Sequence, residues 1–173
     1  MISATLITSV WITEAIGRGL SGAEIVNWRG GYGTSGSSSQ GTRLPEPTPE
    51  NRDYLRRLRE GFGDLPVVVE FRHVALVNQP TFELLKELNL GFCSVDEPRL
   101  RGLMPPVAVA TGPVAYVRFH GRNAAKWYNH EEAWERYNYT YRPEELQEWV
   151  PKLRQLDAEA PLTLVYFNNH FGG

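Results

Sequence analysis

Four short apolar runs in this chain end in groups that are costly to bury. "VVVEFRH" (67–73) passes from valines into Glu70, Arg72 and His73, and "GFCSVDEP" (91–98) ends in Asp96. "AYVRFHGR" (115–122) carries Arg118, His120 and Arg122, and "LTLVYFNNH" (162–170) ends in Asn168, Asn169 and His170. A strand covered on both faces is apolar along its length, and an ionic group within it must be paired or must sit at a solvent-filled mouth. Recurrence at four strand ends demands a fold that gathers those ends in one place.

The segments between the runs have helical texture. "TPENRDYLRRLREGFG" offers Thr48 as a cap, Pro49 at the first helical position and an apolar stripe of Tyr54, Leu55, Leu58 and Phe62, with Gly61 or Gly63 as the stop. "QPTFELLKELNLG" places Pro80 near a helix start, Phe82, Leu85 and Leu88 on one face and Gly91 at a left-handed exit. A Pro-rich connection separates the second and third strands. The helix "RPEELQEWVPKLRQLDAEA" keeps Leu146, Trp149, Val150, Leu153 and Leu156 at helical spacing, but Pro151 within it predicts a kink or a restart. The order is therefore α, β, α, β, loop, β, α, β. This is an α/β chain with parallel strands covered by helices, either a doubly wound sheet or part of a barrel. Both architectures form their sites at the carboxyl ends of the strands.

Residues 1–41 read differently. They hold 8 of the 16 glycines, including the run "GGYGTSGSSSQG", and are expected to be loose. Gly31, Gly33 and Gly36 match a dinucleotide-loop spacing. The flanks supply neither the preceding strand nor the following helix that such a loop needs, so the match is set aside.

Bulk properties bound the function. A length of 173 residues makes one domain, and 18 basic against 20 acidic residues give no excess that advertises nucleic acid. The single cysteine, Cys93, excludes an internal disulfide and reads as a buried thiol in a reducing compartment. No apolar run reaches the length of a membrane span, and no basic leader opens the chain. A cytoplasmic protein without membrane attachment is expected.

The strand ends together present carboxylates (Glu70, Asp96), cations (Arg72, Arg118, Arg122), imidazoles (His73, His120) and amides (Asn168, Asn169). One such pair is more often a structural ion pair, but four ends in succession suit acid–base work on an anionic ligand. Glu70, His120 and Asp96 are the candidate catalytic groups. Arg72, His73, Arg118, Arg122, Asn168 and Asn169 are the candidate substrate ligands, with arginine matched to a planar anion. No His/Cys spacing signals a metal, no nucleophile elbow or P-loop occurs, and no cofactor is identified. The stretch "KWYNHEEAWERYNYTYRP" holds Trp127, Tyr128, Trp134, Tyr137, Tyr139 and Tyr141, which could stack on a base or sugar or could pin a long loop by their own packing. His130 within it is expected to be solvated.

"VEFRH", "SVDEP", "YVRFHGR", "RYNYTY" and "FNNHFGG", in that order, resemble the YecE-like family, domain of unknown function 72 (DUF72), over residues 42–173. The resemblance implies a TIM barrel, a fold of about 250 residues, in which Glu70, Arg72, His73, Asp96, Arg118, His120, Gly121, Arg122, Asn168 and Asn169 surround the barrel mouth. It also implies that this chain holds the C-terminal part of such a barrel, truncated and joined to unrelated sequence by a disrupted upstream reading frame. A partial barrel exposes strand edges, so self-association is expected. Three functional readings follow: an enzyme acting on an anionic or phosphorylated substrate, a non-catalytic module binding a ligand or nucleic acid, and an inactive fragment.

Overall fold

The computed structural model describes residues 7–12, 25–26 and 49–168. Its elements are β1 (Ile7–Ile12), β2 (Ile25–Val26), α1 (Pro49–Phe62), β3 (Val67–Phe71), α2 (Gln79–Glu87), β4 (Leu90–Asp96), β5 (Val114–Phe119), α3 (Pro143–Gln147), α4 (Val150–Glu159) and β6 (Leu162–Phe167). The sheet order is β2-β1-β3-β4-β5-β6. From β3 to β6 every pairing is parallel, as the alternation of helix and strand predicts. β1 and β2 fall inside the segment expected to be loose, and β1 pairs antiparallel with β3, so that edge departs from an all-parallel barrel. The glycine-rich run, Thr48 and Asn169 lie outside the described residues. Among the described residues no helix is long and apolar enough to cross a membrane.

Local chemistry explains most boundaries. Asn78 caps α2 by accepting from the Thr81 N–H at 2.9 Å, and Pro80 lies in the first turn, where a missing N–H costs nothing. The left-handed exit from α2 is made by Asn89 (φ 52°), not by Gly91. Gly91 instead lies within β4, where an added Cβ would stand 2.6 Å from the Val114 carbonyl oxygen. Its role is close strand approach rather than a turn. Pro151 divides the last helix as expected: α3 stops at Gln147, and α4 restarts at Val150 with the proline in its first turn.

Register assigns the two faces of the sheet. Residues opposite one another in a parallel ladder point the same way, so the pairs Val69↔Phe92, Ser94↔Val117 and Asp96↔Phe119 share one face. Phe92 meets the α2 residue Phe82 edge-on at 5.2 Å, and Phe119 meets Trp149 at 5.3 Å, so this is the helix-covered face. The other set, Cys93↔Tyr116 and Val95↔Arg118, forms the inner face, to which Glu70 belongs. β3, β4 and β5 are buried on both faces, as an enclosed parallel sheet requires. The outer strand β6 keeps Val165, Tyr166 and Phe167 partly exposed. No helix crosses between β4 and β5. Residues 97–113 run as an extended connection, fastened by Lys152 Nζ to the Pro106 carbonyl at 2.7 Å and by Thr111 Oγ1 to the Leu90 carbonyl at 2.7 Å.

Candidate functional site

The sequence places the candidate residues at strand ends, and the structure divides them between the two faces. On the inner face everything converges on Glu70, which is fully buried. Arg118 Nη1 donates to Glu70 Oε2 at 2.5 Å, and Arg72 Nη2 lies 2.9 Å from Oε1. His120 Nε2 stands 3.1 Å from Oε1. Burial alone would raise the Glu70 carboxyl. The His120 hydrogen bond and the charges of Arg72 and Arg118 outweigh it and hold the group well below the usual carboxylate range.

The ionised Glu70 can only accept, so the proton on His120 resides on Nε2. Nδ1 then carries the lone pair and accepts from Asn168 Nδ2 at 3.3 Å. Burial lowers the His120 pKa against the pull of Glu70, so its imidazole is neutral. Arg72 Nη1 also lies 3.5 Å from Nε2, but both atoms are donors, and that contact is electrostatic crowding rather than a bond. Cys93 Sγ, 3.8 Å from Glu70 Oε2, is pushed up by burial and by that carboxylate, so it is no thiolate nucleophile.

Asp96 belongs to the other face. Its carboxylate, fully buried, takes a two-pronged bond from Arg122 (Nε to Oδ1 and Nη2 to Oδ2, both 2.7 Å). The Trp149 indole N–H donates at 2.7 Å and the Tyr141 hydroxyl at 2.9 Å. Arg122 is shared with Glu148, at 2.8 Å from Nη2. Burial would raise the Asp96 pKa, but the Arg122, Trp149 and Tyr141 bonds lower it below its ordinary value. A carboxylate so filled with rigid donors ties β4 to the segment after β5 and to the start of α4. Asp96, expected as a catalytic group, and Arg122, expected as a substrate ligand, thus lie apart from Glu70, because residue parity along β4 turns Asp96 toward the helices.

Gly121 makes the division. Its φ of +89° is disfavoured for other residues, and an added Cβ would meet Tyr139 Cβ at 2.8 Å. This turn lets His120 point inward while Arg122 returns to the helix face. One backbone link joins the two clusters, the His120 N–H donating to the Asp96 carbonyl at 2.8 Å.

The remaining candidates divide further. His73 caps the short 3-10 turn Val74–Leu76 through Nδ1, which accepts from the Ala75 N–H at 3.1 Å. Its Nε2 is buried without a hydrogen-bond partner. In the aromatic stretch Trp127 is buried and meets Tyr137 edge-on at 6.1 Å, and Tyr139 meets Tyr141 at 5.1 Å, so these rings pin the loop. Tyr128 is 68% exposed. His130 is not simply solvated: Nδ1 lies 3.0 Å from the Lys126 carbonyl and Nε2 2.7 Å from Arg136 Nη2.

The sequence reading passes over Glu97. It is 1% exposed, and its Oε1 accepts from the Met104 N–H at 2.6 Å. Burial, only partly offset by that bond and by Arg72, pushes its pKa up to about 7. The available signal was its place directly after Asp96, where strand alternation directs it away from the helix-facing Asp96. Among the described residues no three His, Cys, Asp or Glu side chains converge as metal ligands.

Comparison with known proteins agrees with this architecture. The UPF0759 protein YunF of Bacillus subtilis (strain 168) is 34% identical over 134 residues, covering 72% of this chain and 48% of the relative. The crystal structure of a DUF72 family protein from Thermotoga maritima MSB8 superposes with a TM-score of 0.68 at 38% identity, covering 74% of this chain and 48% of that one. Another, from Enterococcus faecalis V583, gives a TM-score of 0.63 at 30% identity, with 74% and 51% covered. The chain thus spans about half the length of these relatives. The parallel four-stranded sheet with alternating helices corresponds to part of their TIM-like fold. Residues 42–173 match the model of the family described as "Protein of unknown function DUF72", and the chain belongs to that family.

Proposed function

We propose that the inner-face cluster is the working part of an enzyme site for an anionic, phosphorylated substrate, with His120 as the group that moves the proton. One observation carries this reading. Two guanidinium groups and an imidazole converge on the single carboxylate of Glu70 at the carboxyl ends of parallel strands. Arg72 keeps 29% of its side chain exposed, so it is the cation that reaches toward an incoming anion. His120 has the wiring of an oriented base. Glu70 holds its Nε2–H, and Nδ1, on exchanging its long contact with Asn168 Nδ2 at 3.3 Å for a substrate hydroxyl or water, takes the proton, after which Glu70 stabilises the imidazolium. Glu70, a candidate acid or base, is too firmly ionised to act as an acid, and in this reading it orients His120. The alternative, base stacking on the aromatic loop, finds less support because most of those rings are spent on packing the loop.

The test is a panel of phosphomonoesters and phosphodiesters assayed for binding and turnover. Arg72→Met is expected to lower affinity by about tenfold or more, the value of one charge-assisted contact. His120→Gln is expected to keep binding and to lose turnover by about a hundredfold or more. Unchanged affinity in the first variant, or unchanged turnover in the second, overturns the reading.

A further inference from the structure

We propose that Tyr137 is the substrate-positioning ring of this site, and that the phosphorylated substrate is a sugar phosphate whose carbon ring packs on it while the oxyanion meets Arg72. The inference rests on the anion-site reading above and names its substrate class. The aromatic loop reaches the proton-moving group at this residue: the Tyr137 ring centroid lies 6.1 Å from that of His120, with the two planes tilted by 44°. On the same imidazole, Nε2 stands 3.5 Å from Arg72 Nη1. Cation, imidazole and aromatic ring are therefore successive neighbours.

The chain holds Tyr137 there from several sides. It ends the short 3-10 turn Ala133–Tyr137. Asn123, three residues beyond His120, straps that turn by donating from Nδ2 to the Glu135 carbonyl at 3.1 Å and to the Asn138 carbonyl at 3.3 Å. Glu135 fastens the start of the turn, accepting from the Glu132 N–H at 3.0 Å and pairing with Lys126 Nζ at 2.7 Å. Buried Trp127 meets the Tyr137 ring edge-on at 6.1 Å, and the Arg136 guanidinium carbon lies 5.7 Å from its centroid. Gly121 lets the loop come this close to His120, since an added Cβ would stand 2.8 Å from Tyr139 Cβ and 3.8 Å from the Tyr137 carbonyl oxygen. Tyr137 is nevertheless only half-buried. A ring braced in this way loses little freedom when a ligand packs on it, so the contact goes into affinity.

A molecule that meets Arg72, His120 and Tyr137 together needs an oxyanion, a hydroxyl and an apolar face. A sugar phosphate carries all three. Its phosphate suits the guanidinium, a ring hydroxyl supplies the proton that His120 Nδ1 takes, and the C–H face of the sugar packs on the aromatic face. A bare oxyanion meets Arg72 and gains nothing from Tyr137.

Calorimetry on the full chain would compare inorganic phosphate with ribose 5-phosphate and glucose 6-phosphate, in the unchanged protein and in Tyr137→Phe, Tyr137→Leu and Arg72→Met. At least one sugar phosphate is expected to bind about tenfold tighter than inorganic phosphate. Tyr137→Phe keeps most of that advantage and Tyr137→Leu loses it, while the affinity for inorganic phosphate stays the same in both. Leucine still offers apolar contact to Trp127. A loss confined to the sugar phosphate thus separates a ligand contact from loop packing, whose failure would weaken both ligands. Saturation-transfer NMR gives a second reading without any variant: irradiation of the protein's aromatic protons should reach the ring C–H protons of the bound sugar phosphate.

No sugar advantage in the unchanged chain, an advantage that survives Tyr137→Leu, equal weakening of both ligands, or no aromatic transfer overturns the role of Tyr137 and leaves the anion site standing. Absence of phosphate binding, or undiminished phosphate binding in Arg72→Met, overturns the anion site and the role of Tyr137 with it.

Discussion

The clusters around Glu70 and Asp96 are built from the same materials and arranged for opposite ends. Each is a fully buried carboxylate on a neighbouring strand, paired with arginine and held ionised. Asp96 is met by donors of fixed geometry, the fork of Arg122, an indole and a phenol, all on the face where helices pack. Glu70 is met by groups that can exchange partners or protons, on the face turned from the helices. Buried charge therefore does not by itself identify a site. What separates a brace from a reactive cluster is whether the partners have anything left to offer a ligand.

The comparison breaks most visibly at Asp96. Replacement by alanine leaves the buried Trp149 N–H without its acceptor and takes from Arg122 its buried carboxylate partner, with only Glu148 and Glu145 remaining, at a cost of about 3–5 kcal/mol. Urea unfolding would measure it. A loss below about 1 kcal/mol would mean that the helix-face cluster is not a brace. Sulfate added to the variant is expected to recover none of the deficit beyond what it gives the unchanged chain, because the vacated position faces the helices.

Glu70→Gln sharpens the contrast. It also removes a shared carboxylate, but Arg72 is partly exposed and an external anion can replace the lost charge. The expected cost is about 2–3 kcal/mol, largely restored by saturating sulfate. Acid behaviour should follow. A carboxylate whose folded pKa lies below its unfolded value stabilises the fold above the unfolded value, near 4.5 for Glu70, and that stability is lost as pH falls. The glutamine variant has less to lose, so acidification from neutrality to about pH 3 should destabilise it less than the unchanged chain. An identical acid profile, or no rescue by sulfate, would erase the distinction between the faces.

Much of this was legible in the sequence because its signals are local. Apolar runs bounded by helix caps located β3 to β6, and polar strand ends located the chemistry. The division between faces was harder to read. Strand alternation fixes relative parity within β3 or β5, yet which parity faces the helices depends on the packing of Phe92 on Phe82 and of Phe119 on Trp149. The antiparallel edge at β1 carries no comparable pattern, since it arises from long-range pairing. Glu97 was overlooked because an acidic residue before proline reads as loop. Only burial, a tertiary property, turns it into a titrating group.

The finest test of the comparison is Trp149→Phe. The ring volume is largely kept, so the packing on Phe119 should survive, and only the N–H donated to Asp96 is lost. A hydrogen bond to a charged acceptor contributes about 1.5–3 kcal/mol, and the lower end applies here because Arg122 and Tyr141 still hold the carboxylate. The loss should appear in the unfolding midpoint while the affinity for sulfate stays as it was. If that affinity shifts instead, the backbone bond from His120 to the Asp96 carbonyl transmits the state of one face to the other, and the brace is part of the site's control.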